Sequence, residues 1–386
     1  MHIPTPLAGE HSKGYLGRVR RLNGDLPLAT LRHLLETQCS VTRAGGRSIN
    51  WVRLLSAVSG LGLERYVGEH TLIPFLRTVH TASAGVAYGS QSSDVQLALV
   101  GTAMGNTTAN FCSECNLQDR MSPAGSYWRR AHQLPGAVVC TVHGCALVQV
   151  DVDAPVLGPP VAFEKSARPI SDQLVADAHT NLVIHRYMEI CHQFLTGKHP
   201  INAKQAARNL AGRASELQLR ISAIGVKRNL SDYAIAKIAG PWLQHFFPWL
   251  SDKQPGKFVA QLDGTCISKH TSYHASSYAL ALAVLWDTPD KAMAEFRRAI
   301  IPVDLSSDGA TRQGEHMGRL QSGGLPKSVT THHSPGVTSA IRSFVAGSSL
   351  AAASAAHDVC ASELEEILRR AAARDVFLAC DRRALS

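Results

Sequence analysis

Apolar positions along most of this chain recur every three or four residues, the period of a helix that buries one face. From a start near Glu10, Tyr15, Val19 and Leu22 stand at i, i+4 and i+7. Lys13, Arg18, Arg20 and Arg21 fall largely on other faces, and Asn23-Gly24 ends the run. A second helix follows Asp25, with Pro27 in its first turn and Leu28, Leu31, Leu34 and Leu35 along it; a third covers about residues 50–58. Three short helices joined by tight turns in a basic segment are compatible with a helix-turn-helix, and equally with a small bundle whose basic face is solvated. Residues 81–93 are rich in Ser, Gly and Ala and read as a loop, while 97–100 and 137–148 predict short strands.

Further on, Pro155, Pro159 and Pro160 interrupt any helical pattern, so residues 151–169 read as a connector. Helical spacing resumes over 172–195, where Leu174, Ala178, Leu182, Val183, Tyr187, Ile190 and Phe194 predict one long amphipathic element. Residues 201–240 predict a helix, a break at Gly225 and a second helix capped by Ser231, with Ile235 and Ile238 in its buried stripe before Pro241. Trp242, Phe246, Phe247, Trp249 and Leu250 form an aromatic group that suits a core better than a stacking platform for bases. Residues 278–286 are apolar nearly all round, the mark of a buried helix, and Thr288 with Pro289 announces the next one. Composition shifts to Ser, Gly, His and Pro over 306–337, as in a flexible linker. A last helix is signalled by Ser362 and Glu365 at capping-box spacing, with Leu364, Ile367 and Leu368 on one face.

The chemistry concentrates over residues 111–147. Cys112 and Cys115 form a C-x-x-C turn, and Cys140 and His143 form a C-x-x-H turn. Two ligands separated by two residues sit on one tight turn, so each turn holds half of a tetrahedral ion, and two such pairs point to zinc. Four protein ligands close the site, leaving no position for water or substrate. Cys145, two residues past His143, is an alternative fourth ligand. Arg129, Arg130 and His132 lie between the pairs, where their charge would offset three thiolates.

Around these ligands stand Gly125, Tyr127, Trp128, Arg129 and Arg130, the run His132-Gln133-Leu134-Pro135-Gly136, Val139, Gly144 and Leu147. Together they resemble the TniQ/TnsD family of transposition target-selection proteins. Glu10, Gly14, Tyr15 and Leu16 resemble the family's N-terminal signature, and His70-Thr71 with Pro74 is similar too. Ser113 stands where the family often has proline, and Gln118 where an acidic residue is common. The resemblance implies a non-enzymatic adaptor that links target DNA, or an RNA-guided CRISPR effector complex, to an AAA+ transposition ATPase and through it to a transposase. It resembles the short TniQ type and is compatible with a homodimer. Outside that family, the residues fit a site-specific, zinc-containing DNA-binding regulator or a zinc enzyme acting on nucleic acid.

A net charge of +9 over 386 residues favours an acidic partner. Residues 201–240 are the most basic, with seven Lys and Arg against Glu216 and Asp232. The candidate contacts with nucleic acid or a partner are Arg18, Arg20, Arg21, Lys204, Arg208, Arg213, Lys227 and Arg228. There is no phosphate-loop motif, no H-E-x-x-H and no G-x-S-x-G. No signal peptide and no membrane-length apolar run are evident, so a cytoplasmic location is expected. The fold expected is mainly α with a small central zinc ribbon. Its parts are an N-terminal helix-turn-helix-like part over 1–110, a zinc module over 111–150, a helical domain over 171–305, the linker at 306–337 and a helical tail over 338–386.

Overall fold

The computed structural model describes residues 1–39, 49–81, 88–89, 97, 101–222, 228–267, 272–298, 335–345, 348 and 350–368. The chain opens with five helices: α1 (Ser12–Leu22), α2 (Leu28–Gln38), α3 (Trp51–Ser59), α4 (Leu63–His70) and α5 (Ile73–Leu76). Tyr15, Leu16 and Val19 of α1, Leu31 and Leu35 of α2, and Leu54 and Leu55 of α3 are buried together. Leu22 and Leu34, expected on the same stripes, are 49% and 41% exposed.

A short parallel pair joins β1 (Val79–His80) to β5 (Ile201–Asn202). The second sheet, antiparallel, has the order β2 (Thr108–Phe111), β3 (Val148–Asp151), β4 (Arg168–Pro169). The strand expected over 137–148 is thus displaced to β3. The backbone before it is occupied by the Cys140 and His143 turn, and only a single bridge, Val139 with Ala146, pairs across that turn. The other expected strand, 97–100, falls outside the described residues except for Leu97, as do most of 81–93 and all of Gly225.

After β2 comes α6 (Ser113–Arg120), and after β3 the short α7 (Ala154–Leu157). The expected connector over 151–169 is therefore a packed strap, because its prolines start short helical turns instead of extending the chain. It lies on α1: Lys13 Nζ pairs with Asp153 at 2.6 Å, and a Cβ added at Gly17 would stand 2.1 Å from the Pro155 carbonyl oxygen.

The long helix expected over 172–195 is two helices, α8 (Asp172–Thr180) and α9 (Leu182–Leu195). Asn181 breaks them. Its side chain accepts from the backbone N–H groups of Val183 and Ile184 at 3.0 and 3.2 Å, and donates to the Lys237 carbonyl at 3.0 Å. Leu182 consequently points to solvent.

Then follow α10 (Ala203–Glu216), α11 (Leu230–Ile235), α12 (Gly240–Phe246), α13 (Pro248–Ser251), α14 (Ala260–Asp263), α15 (Ala275–Leu285) and α16 (Pro289–Arg297). α11 is capped by Asn229 in a capping box with Asp232, not by Ser231, whose hydroxyl donates to the buried Asp263 carboxylate at 2.8 Å. Every residue of α15 is buried, and Thr288 caps α16, as their sequences predict. Trp242, Phe247 and Leu250 enter the core with Tyr187.

Three further helices, α17 (Pro335–Val345), α18 (Leu350–Ala356) and α19 (361–368), bury Phe344, Ala353, Leu364 and Leu368 among themselves. The main core runs unbroken from Tyr15 through Cys112, Cys115 and Cys140 to Phe296. Among the described residues, no helix is long and apolar enough to cross a membrane.

Candidate metal centre

β2 delivers Phe111 to the core and leaves Cys112 at the start of α6, where its sulfur accepts from the Cys115 backbone N–H at 3.4 Å. The helical turn brings Cys115 back beside it. The second pair sits on a tight turn: the Gly144 N–H donates to the Cys140 carbonyl at 2.8 Å, and the Cys140 N–H donates to the Cys145 carbonyl at 2.8 Å. Gly144 takes a φ of 67°, which glycine adopts without strain.

The four ligand atoms lie within 4.8 Å of one another. Cys115 Sγ is 3.7 Å from Cys140 Sγ, while His143 Nδ1 is 3.5, 3.3 and 3.6 Å from the sulfurs of Cys112, Cys115 and Cys140. A tetrahedron with metal–ligand bonds of about 2.0–2.3 Å has edges of about 3.3–3.8 Å, so this donor set fits zinc. The sulfur of Cys145 approaches that of Cys112 to 3.3 Å, but Cys145 falls outside the four-atom cluster. Burial drives the Cys115 thiol upward, with Arg129 the largest opposing influence; a divalent cation at the centre would hold the sulfur as thiolate.

Of the three side chains expected to offset the thiolates, Arg129 is the one whose charge acts on Cys115. Its guanidinium is fixed by a bidentate pair with Asp119 at 2.6 and 2.8 Å and lies over the Tyr127 ring. Arg130 turns away to the carbonyls of Gly68 and Thr71. His132 is held neutral by burial, its pKa drawn down to about 3, and its Nε2 lies 3.6 Å from Cys140 Sγ.

The run 132–136 ties this centre to the rest of the chain. Gln133 is fully buried and pairs with both backbone groups of Asn110 on β2, accepting at 2.9 Å and donating at 2.7 Å, as a neighbouring strand would. The Pro135 carbonyl accepts from the Tyr187 hydroxyl at 3.2 Å, and a Cβ at Gly136 would stand 2.6 Å from that ring. On the other side the Trp128 indole N–H donates to the Gly158 carbonyl at 2.8 Å, and its Cβ faces Gly14 of α1. Arg18 grips the buried Glu10 at 3.0 and 2.6 Å, and the His11 N–H donates to the Trp128 carbonyl at 2.7 Å.

The cations expected to meet a partner are thus unlike in placement. Arg18 is engaged with Glu10, Arg20 donates to the carbonyls of Leu26 and Asp25, and Arg21 is half-buried, with burial lowering its pKa. Arg213 is half-buried, donating to the Leu285 carbonyl and pairing with Glu216. Lys204, Arg208 and Arg228 are exposed, and Lys227 lies outside the described residues. Arg297 and Arg298, absent from the sequence reading, are exposed beside the α10 pair; two adjacent arginines at a helix end were the available signal.

A cleft of about 1670 Å³ opens between β2, α8, α12 and α17, lined by Asn110, Gln149, Phe246, Trp249 and His274 among others. Among the described residues that line it there is no Asp, Glu, Lys or Arg, and none of the four metal ligands. The chain shows no match among curated proteins. The TniQ family model matches residues 2–147, ending directly after the second ligand turn.

Proposed function

We propose that this chain, which carries a TniQ domain over residues 2–147, selects target sites for DNA transposition as a non-enzymatic adaptor. The observation that carries the reading is the coincidence of that domain with a closed Cys3His centre whose surrounding residues brace α1, β2 and α9. Zinc held by Cys112, Cys115, Cys140 and His143 would have no open coordination position, so what it would supply is stability of the fold. A hydrolytic zinc needs a water in place of one ligand, and here three buried sulfurs and one imidazole are close enough together to supply all four.

The adaptor has two ends. One meets the target, either duplex DNA or an RNA-guided CRISPR effector complex already bound to it. The other recruits an AAA+ ATPase, which in turn brings the transposase. Gly60-Leu61-Gly62 joins α3 to α4 with the three-residue length of a helix-turn-helix turn, but the exposed face of α4 presents Glu64, Arg65 and Glu69. That net-negative face suits a protein partner better than phosphates.

Mixing the purified, zinc-loaded chain with the purified AAA+ ATPase of the same element tests the recruitment end. Co-elution on size exclusion with nucleotide present is expected. Separate elution at micromolar concentrations, with both proteins folded, would contradict the adaptor role.

A further inference from the structure

The last carbonyls of a helix have no partner within it and need donors from elsewhere. In α16 those donors come from α10. Gln205 Nε2 donates to the carbonyls of Arg297 and Arg298 at 2.9 Å each, and Asn209 Nδ2 donates to those of Glu295, Phe296 and Arg298 at 2.9, 3.2 and 3.2 Å. Gln205 and Asn209 are one turn apart on the same face of α10. The residues immediately before them, Lys204 and Arg208, form the adjoining exposed row.

This cap therefore fixes Arg297 and Arg298, both exposed, alongside Lys204 and Arg208. A fifth cation joins from the turn before β5: a Cβ at Gly197 would lie 3.6 Å from Arg297 Nη2, and the next residue is the exposed Lys198. The carboxylates of α16 itself are Glu295, which takes Arg298 at 3.3 Å, and Asp290, which accepts from Gln193 at the far end of the helix. Five exposed cations, two of them on α10 and two at the end of α16, with both carboxylates of α16 already engaged, give this face a positive potential that an anion would relieve.

We propose that Lys198, Lys204, Arg208, Arg297 and Arg298 form a phosphate-binding track for a nucleic-acid duplex. Single strands are held by exposed aromatic platforms as well as charge, and no aromatic is among the exposed large apolar residues described. Arginine and lysine without base-reading partners grip backbone rather than sequence. The track stands on this geometry. Only the identification of the duplex as target DNA rests on the target-selection reading.

The test measures binding of the full, zinc-loaded chain to a random-sequence duplex over a salt series, alongside the variant K204A/R208A/R297A/R298A. Each phosphate contact contributes about 0.9 to the slope of log K against log salt, so the variant is expected to lose about three to four from that slope and at least 100-fold in affinity at low salt. Zinc content and thermal unfolding of the variant serve as the folding control. N209A, which loosens the cap without removing charge, is expected to lose affinity while keeping most of the slope. An unchanged slope in the fourfold variant, or wild-type protein that does not bind duplex, overturns the track. So does displacement of the duplex by polyglutamate of matched charge at lower concentration, which would assign the patch to an acidic protein. None of these outcomes touches recruitment of the ATPase, which the co-elution experiment reads separately.

Discussion

Both ring nitrogens of His11 are in use: Nδ1 accepts from the Lys13 backbone N–H at 3.2 Å, capping α1, and Nε2 faces the Ala103 carbonyl at 3.1 Å. That network assigns the neutral tautomer with its proton on Nε2, and a second proton on Nδ1 would break the cap. Burial draws the pKa down to about 3 from an ordinary value of 6.5. The folded pKa lies below the unfolded one, so stability is full above about pH 6.5 and falls as pH drops towards about 3, by up to about 1.4 kcal/mol per pH unit. H11N keeps a capping side chain without the titration. It should be less stable than wild type at pH 7 but lose less between pH 6.5 and 4.5 in urea unfolding; parallel pH profiles would refute this role. His11 gave no sign of this in the sequence, because its partner Ala103 lies 92 residues away. The clustering of Cys112, Cys115, Cys140 and His143 was legible because each pair is defined by spacing within one turn. The fate of Arg18, Arg20 and Arg21 was not, since periodicity places a cation on a face without saying whether a carboxylate such as Glu10 waits there.

Helices were legible where a cap and an apolar arc coincide, as in α3 with Asn50 and α16 with Thr288. The break between α8 and α9 was hidden because the apolar spacing continues across Asn181, whose capping bonds are visible only in three dimensions. The prolines of 151–169 suggested a connector, yet the strap they build lies close enough to α1 to require glycine there. Two helical glycines separate packing from propensity. At Gly17 a Cβ meets the Pro155 carbonyl oxygen at 2.1 Å and the backbone of Val156 at 2.9 Å, whereas at Gly212 of α10 nothing lies within 4 Å. G17A should lower stability by roughly 2 kcal/mol or more through overpacking. G212A should raise it by about 0.5–1 kcal/mol through helix propensity. Chemical denaturation of both variants checks the pair, and equal effects would mean that the strap does not hold α1.

At the scale of the molecule, Gln133, Pro135 and Gly136 couple the metal centre to β2 and to Tyr187, which packs on Trp242 and Phe247. Because those residues share one core with Cys112, Cys115 and Cys140, the centre and the C-terminal helices should unfold together. Chelation is expected to lower a single thermal transition read by both far-ultraviolet dichroism and tryptophan fluorescence. Two separated transitions would mean that the helices stand without the metal. The unbroken core was the feature least legible in the sequence, where composition divides the chain into parts but carries no record of what packs between them. The role proposed for this chain is the choice of target. The measurement that reaches it most directly is sequencing of insertion junctions in a host carrying the whole element, with this chain intact or bearing C140S. The account predicts insertions clustered at a defined site with the intact chain and loss of that clustering with C140S. Junctions that keep the same distribution when the chain is disabled would contradict it.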